Sequence, residues 1–290
     1  MRHVLPLLAA LSAACAPALP GEELARGAPA VVRVATWNVH DLFDEHDQLL
    51  PPGSEDLVLT PPEVEAKLDR VAAVLDRVGA DVVLLQEVEN APLLARLAAR
   101  TGYPEARLVE GNDPRGIDVA LLSRLPVLAY VTHRGERDGA GRLLWPRDCT
   151  EAHLDLGGGR RLALAGTHLS SSLSDDGTRR ALQAARLREI ADGLAAAADL
   201  AIAGGDLNDE AGSAALAPLL GDGVWLDPAA ASLPAEEAWT WSGGGSRKSL
   251  DHLVLRRMEV GEVERVEIAG GADVAAASDH RPVILDLSVR

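Results

Sequence analysis

Six short polar clusters interrupt apolar runs along the chain. They are Trp37-Asn38, Gln86-Glu87, Thr167-His168, Asp206-Leu207-Asn208, Asp251-His252 and Ser278-Asp279-His280. Their asparagines and carboxylates are hard oxygen donors, which suit Mg²⁺, Mn²⁺ or Ca²⁺. No thiolate stands among them, and no histidine spacing suggests zinc. His168, His280 and the Asp206/Asn208 pair remain for proton transfer and charge stabilisation. Taken singly, each cluster has a plainer role. Asn38 suits a turn, Glu87 and Asp279 suit caps, and Asp206 and Asn208 can bond their own backbone. What they share is a place at the end of a predicted strand.

The elements that must position them follow from periodicity. Strands are predicted over 31–36, 82–86, 117–122, 151–156, 162–166, 200–203, 250–255 and 283–287, where apolar and β-branched residues run between polar or glycine breaks. Thr60-Pro-Pro-Glu63 is a helix start with a capping box and an early proline. Val64, Leu68, Val71, Leu75 and Val78 continue that helix, and Gly79 ends it. Further helices are expected over 91–100 and 179–197. Residues 44–59 and the glycine-rich run 241–249 read as loops, the second of them mobile. In Ala203-Gly-Gly-Asp-Leu-Asn-Asp209 the glycines would let the backbone turn tightly beside a substrate. Leu207 would turn into the core, and Asp209 would serve the loop. The alternation of strands and helices predicts an α/β architecture with helices outside the sheet layers.

Composition narrows the classes. The chain has 290 residues, 47% of them hydrophobic, which supports a sizeable core. The formal charge is −16, and a chain that clamps nucleic acid for its own sake usually carries a basic face. Only Lys67 and Lys248 of the 28 basic residues are lysine. Two places could supply a basic stripe: Arg179, Arg180, Arg186 and Arg188 on one helix, and Arg247 and Lys248 in the glycine loop. Solvated faces would explain them equally. Aromatics make up 3%, too few for a set of base-stacking platforms.

Residues 1–20 have a basic start, a short apolar run and small residues, as an export signal does, with a linker to about residue 30. Cys15 in Leu-Ser-Ala-Ala-Cys is a candidate lipidated residue, so the expected destination is either a membrane-anchored, periplasmic lipoprotein or a secreted protein. Residues 31–290 then form one domain. Cys149 is its one cysteine, which leaves no disulfide within it. No obligate protein partner is evident.

The segments TWNVHDLFD, LLQEVEN, IDVALLSRLPV, GTHLSS, GGDLND, SLDHLVL and SDHRPV resemble, in this order, the motifs of the endonuclease/exonuclease/phosphatase superfamily. That superfamily includes deoxyribonucleases, apurinic endonucleases, sphingomyelinases and inositol polyphosphate phosphatases. The resemblance implies a four-layer α/β sandwich, two packed mixed sheets flanked by helices, with the site at one rim. It implies that Glu87 is the main metal ligand, with Asn38 and Asp279 close to the ion. Asp206 would orient or deprotonate the attacking water, and Asn208 would hold a phosphoryl oxygen. His280, oriented by Asp251, and His168 would contact the scissile phosphate from two sides. Apurinic endonucleases place a tyrosine near the strand matching GIDVALLS. Here Tyr103 and Tyr130 lie outside it, and Arg115 and Asp118 are the polar groups there, Arg115 a candidate phosphate contact. His252 reads as a supporting or surface residue.

The expected activity is divalent-metal-dependent phosphodiester hydrolysis, with DNA or RNA as the first substrate. The alternative is a small-molecule or lipid-headgroup phosphoester. A non-catalytic binding domain is disfavoured, because the full set of polar residues is present.

Overall fold

The computed structural model describes residues 27–46, 57–171, 175, 177–256 and 262–289. The segment read as an export signal, Cys15 and most of the stretch 44–59 read as a loop lie outside the described residues. The strands are β1 (Val31–Leu42), β2 (Val82–Val88), β3 (Glu105–Leu108), β4 (Asp118–Ser123), β5 (Val127–Thr132), β6 (Cys149–Gly157), β7 (Arg160–His168), β8 (Leu200–Asp206), β9 (Trp225–Leu226), β10 (Trp241–Gly243), β11 (Ser246–Lys248), β12 (Asp251–Arg256), β13 (Val263–Ile268) and β14 (Val283–Ser288). The helices are α1 (Pro61–Val78), α2 (Ala91–Thr101), α3 (Thr178–Ala195), α4 (Ala217–Leu220), α5 (Pro228–Ser232) and α6 (Ala272–Ala277).

Two six-stranded sheets, ordered β13-β14-β1-β2-β4-β3 and β5-β6-β7-β8-β12-β9, pack face to face. Strand alternation decides which side chain enters which layer. Val32 and Val34 of β1, Val82 and Leu84 of β2, Leu162 and Leu164 of β7, and Leu200 and Ile202 of β8 fill the space between the sheets. Trp37, Val83 and Leu85 point the other way, onto Val64, Leu68, Val71 and Leu75 of α1. On the far side β7 and β8 offer Ala163, Ala165, Ala201 and Ala203 to Leu187, Ile190 and Leu194 of α3. Small residues there let the helix lie close. Three cores between four layers make the α/β sandwich.

α1 starts and stops as its sequence dictates. Glu63 closes a capping box on Thr60, and Gly79 takes the left-handed conformation (φ 60°) that ends the helix. The 241–249 run is not a loose loop. β10 and β11 pair across Gly244 and Gly245, at φ 56° and 78°, and two such residues make the tight turn that suits a hairpin. Gly204 and Gly205 also differ from expectation. They lie inside β8 between β7 and β12. A Cβ on Gly204 would sit 2.1 Å from His252 O, and one on Gly205 1.9 Å from Thr167 O. The glycines therefore let neighbouring strands approach, and no substrate approach is needed to explain them.

The topology places the polar clusters. β1 pairs parallel with β2, and β7 parallel with β8, so Asn38, Glu87, His168 and Asp206 emerge at C-terminal ends. β12 and β14 run antiparallel to β8 and β1, so Asp251 and the 278–280 segment enter at the same rim.

Candidate active site

Local irregularities aim the first side chains. The β1–β2 register shifts after Asn38, and the β2–β4 register shifts after Gln86. Such bulges re-aim side chains beside sites. His40, Asp41, Glu87 and Asn208 all hold positive φ, from 52° to 64°. For a glutamate this costs about 1–3 kcal/mol, and it persists where surrounding contacts fix it. Here they do. Glu87 Oε2 accepts from Asp41 N at 2.9 Å, and Oε1 accepts from Asn38 Nδ2 at 3.2 Å.

Asp206 is the hub. Its Oδ2 accepts from Asn38 Nδ2 at 2.9 Å, lies 3.3 Å from His168 Nε2 and 3.9 Å from His280 Nε2. Its Oδ1 accepts from Asn208 N at 2.9 Å. Directly across the β8–β12 pair stands Asp251, whose Oδ2 lies 2.7 Å from His280 Nδ1. Burial, and then the Asp251 charge, push the Asp206 carboxyl up to about 7. His280 moves the other way from what burial favours. The Asp251 carboxylate, with Asp206 and Asp279, outweighs desolvation and raises it to about 10. Burial holds His168 well below its ordinary value, with Arg147 and His280 adding to the effect. One histidine is thus a cation and the other neutral at neutral pH, and His168 Nδ1 is buried without a hydrogen bond.

The segment around His280 is tied to β1. Trp37 Nε1 donates to His280 O at 3.1 Å, and Ser278 Oγ donates to Asn38 O at 2.8 Å. Asp279 is held through Oδ2 by Trp241 Nε1 at 2.8 Å, and its Oδ1 lies 3.3 Å from His40 Nδ1.

A cleft of about 750 Å³ opens on these groups, lined by Asp41, Glu87, His168, Asp206, Asn208, Asp279 and His280. Two triplets of donor groups lie with their atoms within 4.8 Å of one another among the described residues: Asp44, Glu45 and His46 outside the cleft, and Asp206, Asp251 and His280 at this rim. Because His280 Nδ1 already engages Asp251, the rim triplet reads as a proton-holding relay rather than an ion site. Glu87, Asp41 and Asp279 bring hard oxygens to the cleft, and beside Glu87 stands the Asn38 amide, whose Oδ1 also accepts from His40 N at 2.9 Å. Burial, and then Glu87, raise the Asp41 carboxyl, and Asp279 Oδ1 is buried without a hydrogen bond. Crowded carboxylates with a spare oxygen fit a divalent cation.

Asn38, Glu87, His168, Asp206, Asn208, Asp251, Asp279 and His280 therefore converge. Asn208 also donates Nδ2 to Leu169 O. Arg115 lines the cleft, beside Asp113 at 3.5 Å. Asp118 braces Gly111 N at 2.7 Å instead. His252 is not a surface residue: it is buried, 2.6 Å from Asp227 and 2.8 Å from Asp209 O. Sequence reasoning missed Asp41, Arg147 and Trp241. Asp41 stood within TWNVHDLFD, but its backbone N–H to Glu87 carries no side-chain signal. Trp241 lay in the stretch read as a loop.

The sequence profile of the endonuclease/exonuclease/phosphatase family matches residues 35–280. The chain belongs to that family. A search of curated proteins finds no match. Solved structures similar to it include a truncated Caenorhabditis elegans TDP2, at 18% identity and TM-score 0.62, covering 89% of this chain and 98% of that one. D. rerio TDP2, complexed with a single-strand DNA product, shares 18% identity at TM-score 0.64 and covers 90% and 100%. An endonuclease/exonuclease/phosphatase protein from Beutenbergia cavernae shares 20% identity at TM-score 0.60 and covers 90% and 72%. At these identities the likeness is one of fold. Family membership makes the protein a divalent-metal-dependent phosphoester hydrolase.

Proposed function

We propose that this family member is a Mg²⁺- or Mn²⁺-dependent phosphodiesterase whose substrate is a nucleic acid strand. The observation that carries the substrate is the rim of the cleft. Arg115, Arg179 and Lys248 line it together with Trp241, a cationic and aromatic surface that suits a strand; Arg147 lines it too, but is buried and paired with Asp113 at 2.7 Å. The DNA product held by D. rerio TDP2 lies in a protein of this fold. The helix stripe suggested by the sequence has another use. Arg180, Arg186 and Arg188 pair with Asp209, Glu136 and Asp222.

The residues divide the work as follows. Glu87, Asn38 and Asp279 would hold the cation, with Asp41 beside them. When bound, the cation neutralises the phosphoryl oxygens and favours in-line attack. Asp206, poised near neutral pH, accepts a proton from the attacking water. Asn38, Asn208 and His168 keep its oxygens oriented. The His280 imidazolium donates to a phosphoryl oxygen through Nε2, because Asp251 occupies Nδ1. Asn208 contributes its remaining amide N–H to the phosphate.

The test offers plasmid DNA and bis-p-nitrophenyl phosphate side by side with Mg²⁺ or Mn²⁺. Metal-dependent nicking of the plasmid supports the reading. Turnover of the small diester with an intact plasmid would move the substrate to a small-molecule or lipid-headgroup diester.

A further inference from the structure

Beside the catalytic cleft lies a second groove of about 540 Å³, lined by Lys67, Trp239, Ser242, Arg281 and the end of α6. It shares His40 and Asp279 with the cleft, so the two adjoin. Two cations, Lys67 and Arg281, line it, and a third, Arg247, adjoins it through the Trp239 ring; none of the three has a carboxylate partner among the described residues. Lys67 Nζ donates to His40 O and Ala277 O, each at 2.6 Å. Arg281 donates to the carbonyls of Ile268, Trp239, Glu237 and Ala269. Arg247, exposed on β11, stacks over the Trp239 ring at 4.4 Å, and Arg281 stacks over the same ring at 4.3 Å.

Many arginines of this chain of net charge −16 meet carboxylates, Arg33, Arg77, Arg96, Arg100, Arg186 and Arg188 among them; what sets this place apart is that two guanidiniums share one indole ring beside a lysine. Carbonyl dipoles hold Lys67 and Arg281 in place but cancel no charge. Two guanidiniums on one ring repel each other, and burial adds to the cost of Arg281. An anion in the groove relieves all three. Guanidinium groups stacked on an aromatic ring suit phosphate and nucleobase together.

We infer that this groove is a subsite for the phosphate and base next to the scissile phosphodiester, and that it selects nucleic acid strands over isolated diesters. The inference rests on the nucleic-acid reading above. Arg247 and Trp239 set the preference, and neither touches the reacting atoms.

The experiment compares wild type with Arg247→Ala and Arg247→Glu on three substrates: bis-p-nitrophenyl phosphate, a dinucleotide and a single strand of about ten nucleotides. Because Arg247 is exposed, both variants fold, which superimposable thermal melts confirm. The expected result is a KM for the strand raised about tenfold by Arg247→Glu, less by Arg247→Ala, with kcat nearly constant. The strand's salt dependence also becomes shallower, and bis-p-nitrophenyl phosphate turnover stays within about twofold. Wild-type cleavage of the strand with an unchanged KM in Arg247→Glu would overturn the subsite and leave the nucleic-acid reading standing. Wild-type turnover of the small diester without strand cleavage would overturn both. So would Arg247-dependent hydrolysis of phospholipid vesicles in place of the strand, or no turnover of any substrate.

Discussion

Replacing Asp251 by asparagine separates the charge on His280 from its place. The asparagine fills the same position on β12 and can still meet Nδ1, but it carries no charge. In the native protein burial disfavours the imidazolium, and the carboxylates raise it nonetheless from 6.5 to about 10. That net difference corresponds to about 5 kcal/mol; the carboxylates together supply more than this, because they also offset burial, and Asp251 is the largest of them. With Asp251 neutral, burial remains and the pKa falls back toward or below its ordinary value. At pH 8 the variant then lacks the imidazolium that the native enzyme keeps, and loss of one such stabiliser costs about a hundredfold or more in rate. At pH 5 the proton returns, so the deficit shrinks as pH falls. The native pair also stabilises the fold. That contribution is fully present below about 6.5 and is lost as pH rises through about 10. The assay is kcat/KM for bis-p-nitrophenyl phosphate from pH 5 to 8, beside an NMR titration of His280 in the metal-free protein. A variant profile parallel to the native one, or an unmoved titration, would refute the reasoning.

Other consequences follow from single contacts. Glu87→Gln keeps the shape of the cleft but removes the charge of the main oxygen donor, so Mg²⁺ affinity measured by calorimetry should fall about tenfold or more. Gly205→Ala places a methyl 1.9 Å from Thr167 O at a φ of +128°, and urea denaturation should show a loss of about 3 kcal/mol or more. Burial raises the Asp118 carboxyl to about 8, and the nearby acids add to this. The folded protein there keeps a proton that the unfolded chain releases near pH 4, so stability declines as pH rises through about 8. Asp118→Asn should remove that decline, giving a higher melting temperature than the native protein at pH 9.

Much of this was legible because the relevant signals are local. The capping box at Thr60 and Glu63 and the stop at Gly79 bound α1 to the residue. The site's eight polar residues were readable as strand ends, since parallel β1, β2, β7 and β8 send their C-termini to one rim. What escaped depends on partners distant in sequence. The glycines of β8 look like a turn until β7 and β12 are placed on either side. The 241–249 run reads as mobile because glycine has two uses, freedom and the tight hairpin turn. Edge strands β3 and β13 carry several exposed or half-buried polar residues and lack the apolar run that marks β2 or β8; edge strand β5 is largely apolar but leaves Leu128 and Val131 exposed. Asp41 acts through a backbone N–H as well as its carboxylate, and no side-chain pattern announces the first.

The central claim is that a divalent cation and the His280 imidazolium together drive phosphodiester hydrolysis at this rim. Its most direct test is the rate of bis-p-nitrophenyl phosphate hydrolysis by the native protein with Mn²⁺, the same protein with EDTA, and His280→Ala with Mn²⁺. The account predicts turnover in the first, none above background in the second, and a loss of about a hundredfold or more in the third. Turnover that survives both EDTA and the loss of His280 would contradict it.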